Sequence, residues 1–256
     1  MITTAFRHDT ARPGGLVCAG WLALHAPSGG NPPQPRQARL HRAEQRLPRA
    51  LRVLAVTARP GPESADLGAL LYTFGRSGAQ VSLLSLTRGE ASEFNSTIEP
   101  LHSARPWELL VAATLLGISS VAVADYPDGR LGSCGLSTLT ERIGRAITEH
   151  SADLVVVTDP AESEPDDAVV SAAASAAAEE AQVAALARSL SAAAGGWRVD
   201  LGAGAARARA VQRSAVAAHV SQSDALADLT FRLRVLGRSE WLRWLVPPPE
   251  SGQLVN

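Results

Sequence analysis

The chain has 256 residues, 46% of them apolar, and a formal net charge of −1. That length supports one sizeable buried core, and the near-neutral balance supplies no broad basic field to draw nucleic acid. Aromatic residues at 4% give no stacking platform for single strands, and no apolar run reaches the roughly 20 residues of a membrane helix.

All 24 basic residues are arginine, which with abundant alanine reads as a high-GC bacterial coding bias. Cys18 and Cys134 are too few for a disulfide framework, so a reducing cytoplasm is the expected location. In chain order, residues 1–48 are expected to form a disordered or irregular extension. The apolar stretch at 14–26 is short and interrupted by Gly20, Trp21 and His25, unlike a secretory signal. A single domain is expected over 49–256. Residues 51–57 form a branched apolar run that predicts a buried parallel strand. A helix over 64–76 stops before Gly78, and a second strand covers 80–87. Residues 88–103 read as a long loop, and a helix over 106–116 opens with Pro106 near its first turn. A third strand is predicted at 119–124, a helix at 136–150 and a fourth strand at 152–158. Beyond these come a long Ala-rich helix over 168–194, a strand near 197–201, a helix over 205–221 and a helical tail to residue 245. In that tail Trp241, Leu242, Trp244 and Leu245 form one apolar face, for the core or a neighbouring subunit. The Ala-rich helix also allows self-association, so a homo-oligomer is a further expectation.

Strands alternating with helices predict an α/β fold, a Rossmann-like parallel sheet with helices on both faces. Ligands of such sheets sit beyond the carboxyl ends of the strands. The loops at 58–63, 88–103 and 159–167 are therefore where a small-molecule site is expected.

Six segments in these regions resemble one family. Val56-Thr57-Ala58-Arg59-Pro60-Gly61-Pro62-Glu63, with Leu67-Gly68 following, is similar to the Ala-His-Pro-Asp-Asp-Glu signature of the LmbE/PIG-L deacetylases. Thr87-Arg88-Gly89-Glu90 resembles the family's Thr-x-Gly-Glu turn, and Arg105 with Glu108 its Arg-x-x-Glu helix. Asp125-Tyr126-Pro127-Asp128-Gly129 resembles the segment after its third strand. Glu164-Pro165-Asp166-Asp167, after Asp159-Pro160, stands where the family has His-Pro-Asp-His. His219-Val220-Ser221-Gln222 is similar to its His-x-Ser-Gln. The resemblance runs from about residue 51 to 247 and implies the LmbE-like deacetylase fold.

It also implies a zinc site that this chain carries only in altered form. The family's zinc ligands fall at Arg59, Pro62 and Asp167, its general base at Gly61, and its assisting histidine at Glu164. A guanidinium and a proline offer no ligand, and glycine has no base to offer. The resemblance thus implies no cofactor and hydrolysis lost, with Arg59, Glu63, Asp166 and Asp167 as the groups left for acid, base or electrostatic roles. Arg59 is expected to replace the dication by a bidentate pair with Asp166 or Asp167. Arg88, Arg105, Asp125, Glu164 and His219 are the expected ligand-binding residues. Simpler roles compete: Arg105 and Glu108 can pair on one helical face, and His219 can orient a loop. Three functions remain open: a ligand-binding relative without catalysis, a repurposed metal-independent enzyme, and a zinc-dependent N-acetyl hydrolase of amino-sugar-like substrates with alternative ligands. The family's occurrence in amino-sugar and antibiotic tailoring implies specialised metabolism as the setting.

Overall fold

The computed structural model describes residues 47–91, 100–161, 164–189, 196–225 and 237–249. The extension expected at 1–48 lies outside the described residues except for its last two, of which Leu47 packs on the core.

Strands β1 (Arg52–Thr57), β2 (Gln80–Ser85), β3 (Ser120–Val123) and β4 (Leu154–Thr158) form close to where the apolar runs place them. Successive residues of β1 turn to opposite faces. Leu54 and Val56 meet Leu139, Ile143 and Ala177, while Val53 and Ala55 meet Leu67, Leu70 and Phe74. Both faces are covered, so the strand reads as an unbroken apolar run rather than an alternation.

The helices are α1 (Pro62–Ala65), α2 (Gly68–Arg76), α3 (Leu101–Leu116), α4 (Leu136–Glu149), α5 (Pro165–Ala181) and α6 (Ala205–Ala217). Strands β5 (Ala184–Ser189), β6 (Trp197–Asp200) and β7 (Ser239–Val246) complete a seven-stranded sheet in the order β3-β2-β1-β4-β5-β7-β6. The five strands from β3 to β5 are parallel, and β7 runs antiparallel to both β5 and β6.

Several expectations need correction. The Ala-rich stretch at 168–194 is a helix only to Ala181. Gln182 takes a left-handed φ of 57° and closes the helix, with Val183 N–H donating to the Ala178 carbonyl at 2.9 Å. Residues 184–189 then become a fully buried strand between β4 and β7. Burial between two strands overrides alanine's helix propensity there. The tail expected to be helical ends in β7, so its apolar residues do not share one face. Leu242 and Trp244 join the core layer on one side of the sheet, and Leu245 joins the other. Trp244 lies 5.5 Å from Trp197 between ring centres. Helix α3 begins five residues before Pro106, which sits inside it. The helix expected over 64–76 is broken into α1 and α2, and that over 205–221 ends at Ala217 before a tight turn spanning Val220–Ala225.

β1 pairs with β2 on one side and β4 on the other. The strand order reverses there, and the loops after β1 and β4 flank a crevice position characteristic of ligand sites in open α/β sheets.

Candidate functional site

At that reversal the two loops meet through charge. Arg59, two residues beyond β1, places a guanidinium nitrogen 2.6 Å from Glu164 Oε2 and 3.6 Å from Asp167 Oδ2. Glu164 precedes α5, Pro165 opens it, and Asp166 and Asp167 occupy its first turn. Proline and acidic residues both suit a helix N-terminus, the latter through the helix dipole. The contact thus joins residues 59 and 164, more than 100 positions apart, as the paired motifs imply.

The bidentate pair expected with Asp166 or Asp167 does not form. Asp166 Oδ1 accepts the Leu131 N–H at 3.1 Å, and its buried Oδ2 has no hydrogen-bond partner among the described residues. Arg59 therefore bridges Glu164 closely and Asp167 loosely, rather than gripping one carboxylate with two nitrogens. Burial pushes the Asp167 carboxyl up to about 6; Arg59 opposes that shift, while Glu164, Asp66 and Asp166 reinforce it.

The rest of the first loop is shaped by its backbone. Gly61 has φ 127° and ψ −56°, a conformation for which only glycine is suited. A side chain there would also meet the Gln222 amide oxygen at 2.9 Å. Pro62 begins α1, and Glu63 reaches back to accept the Gly61 N–H at 2.6 Å. Glu63 is buried and points away from the Arg59 contact into a cluster of its own. Its Oε1 lies 2.7 Å from His219 Nε2 and accepts the Ser64 hydroxyl at 2.7 Å. Burial would raise the Glu63 carboxyl, but His219, Ser64 and the Gly61 N–H hold it below the ordinary carboxylate range. His219 also lies 3.4 Å from the Gln222 amide, which donates to the Pro60 carbonyl. Glu63 and His219 thus fix the loop that presents Arg59.

Arg88 lies in the neighbouring loop after β2, Arg105 on α3 and Asp125 just beyond β3. Arg88 Nε donates to Asp125 Oδ1 at 2.7 Å, and both side chains are exposed. Arg105 is buried and donates to the Gly89 carbonyl. Glu108 acts on it through charge, while its two oxygens accept the Ser221 N–H and hydroxyl, each at 2.7 Å. Asp128, three residues beyond Asp125, is buried. It accepts the Thr87 hydroxyl and the Ala91 N–H, clamping that loop.

Sequence reasoning missed a buried ionic network behind the crevice. Glu240 on β7 lies 3.0 Å from Arg188 on β5 and 2.6 Å from Arg209 on α6, and all three are buried. Arg188 also lies 3.6 Å from Asp66, one of the carboxylates acting on Asp167. No motif marks these residues, and two of them stand on strands that read as helix.

Residues 54–178 match the family model for GlcNAc-PI de-N-acetylase, PIG-L. Over this segment the chain carries a PIG-L family domain. Among solved structures of the same fold, N,N'-diacetylchitobiose deacetylase from Pyrococcus horikoshii is 16% identical with a TM-score of 0.66, over 87% of this chain and 98% of that one. The A40926 pseudoaglycone deacetylase is 18% identical with a TM-score of 0.64, over 76% and 96%. A hydratase also shares this PIG-L fold: GalB, the 4-carboxy-2-hydroxymuconate hydratase from Pseudomonas putida, at 16% identity and a TM-score of 0.57, over 77% and 97%. A comparison with curated proteins found no match.

Proposed function

We propose that the PIG-L domain of this chain has exchanged its zinc site for an arginine–carboxylate site. It would serve bacterial amino-sugar or specialised metabolism as a metal-independent enzyme or a ligand-binding relative of the deacetylases. The Arg59 bridge to Glu164 and Asp167 carries this reading. A guanidinium stands between the two loops from which the resemblance draws zinc ligands. Arg59 cannot ligate a metal and Pro62 has no donor atom. The acids at 164 and 167 already neutralise a cation. Among the described residues no three His, Cys, Asp or Glu side chains are grouped to hold a metal ion. This donor set does not fit zinc.

The loss of the base has its own support. Gly61 occupies a glycine-only conformation against Gln222, so the loop is built around a residue without a side chain. What remains can do proton and charge chemistry. A carboxyl titrating near 6 exchanges a proton close to neutral pH, and the adjacent guanidinium can stabilise developing negative charge. That the fold also occurs in the hydratase GalB fits a scaffold whose chemistry is set by its site.

The competing reading, a zinc-dependent N-acetyl hydrolase, draws on the deacetylases among the structural neighbours. Acetate release from N-acetylglucosamine and N,N'-diacetylchitobiose, with and without added zinc, separates the two. The expected result is no release above buffer in either condition. Zinc-dependent release that disappears in Asp167→Asn would reinstate the hydrolase.

A further inference from the structure

A cavity of about 300 Å³ opens beside the loop after β2, lined by Arg88, His102, Ser103, Pro106, Trp107 and Leu110. The α3 residues among them recur at helical spacing, on the side opposite the buried Leu101, Ala104, Arg105 and Leu109. Gly89, against which both Arg105 and Pro60 are packed, joins this region to the loop carrying Arg59. The cavity is therefore a neighbour of the Arg59 bridge and shares no lining residue with it.

Its walls differ in chemistry. Trp107 leaves 70% of its surface in water and Leu110 leaves 42%, apolar area that gains by being covered. Arg88 commits its Nε to Asp125, and its two terminal nitrogens have no partner among the described residues. Those nitrogens retain the fork that matches a carboxylate. The His102 ring and Ser103 hydroxyl add hydrogen-bonding capacity on the same side. The volume stands at the small end of ligand pockets, which run from roughly 300 to 1,000 Å³.

We propose that this cavity binds a small amphipathic anion. Its carboxylate would lie on Arg88 and its aliphatic or aromatic body over Trp107 and Leu110. A neutral amphiphile satisfies the apolar wall alone, and a cationic one is repelled by Arg88. The assignment does not depend on the fate of the zinc site, because none of its residues belongs to the Arg59 bridge.

Calorimetric titration of the full chain with octanoate, 1-octanol and octylamine tests it. Octanoate is expected to bind one per chain, with the alcohol and the amine at least about tenfold weaker. Arg88→Gln and Trp107→Ala should each weaken octanoate by about tenfold. Leu136→Ala, at another exposed apolar residue, should leave it unchanged. Both test residues are exposed, so the variants keep the fold. Absence of octanoate binding, equal affinity for octanol, or affinity indifferent to both Arg88 and Trp107 would overturn the proposal.

Discussion

Asp167 is the residue whose environment makes the clearest demand on solution behaviour. Its carboxyl, ordinarily near 3.8, is pushed up to about 6 by burial. Below the unfolded value it is neutral in both states and costs nothing. Between that value and about 6 only the unfolded chain ionises, so stability falls as pH rises, by at most about 3 kcal/mol, and levels off above about 6. Urea unfolding between pH 4 and 8 should show that decline in the wild type and its absence in Asp167→Asn. Arg59→Gln removes the cation that opposes the shift, so carboxyl NMR should find Asp167 titrating higher still. An unchanged titration would mean that Arg59 does not act on it. Gly61→Asp combines a positive φ with a contact on Gln222 and should cost roughly 1–3 kcal/mol, read as a lowered urea midpoint. At this scale the sequence was partly legible. Arg59 in place of a histidine announced a cation between two loops. Its preference for Glu164 was not visible, because it depends on Asp166 turning to the Leu131 N–H. Glu63 and His219 both stood out in the motifs, yet only coordinates could show them closing on each other.

Among elements, β5 and β7 were the least legible. The alanines of β5 carry a helical preference, and the break at Gln182 rests on a left-handed turn by a residue that rarely signals one. The tryptophans of β7 fit a helix face as well as a strand until pairing is known. These two strands nevertheless hold the ionic network behind the site. Glu240 is fully buried between Arg188 and Arg209, so removing its charge leaves Arg209 without its carboxylate and Arg188 with only the more distant Asp66. Glu240→Gln should destabilise by about 3–5 kcal/mol, measured by urea unfolding. A loss below about 1 kcal/mol, the size of an exposed pair, would show that the network is hydrated. By contrast, β1, β2 and β4 were plain in the sequence because central parallel strands are apolar on both faces.

Over the whole molecule, the alternation of strands and helices anticipated the α/β sheet and its helical layers. It did not anticipate the antiparallel pairing of β7 with β5 and β6, which needs contacts across 39 to 61 residues. The reversal between β1 and β4 explains why two motifs far apart in sequence share one crevice. In the proposed reading, Arg59 stands in that crevice in place of a metal. Zinc content after equilibrating the purified chain with excess zinc and desalting addresses it most directly. No stoichiometric zinc is expected, and one tightly held ion per chain, lost in Asp167→Ala, would overturn that reading.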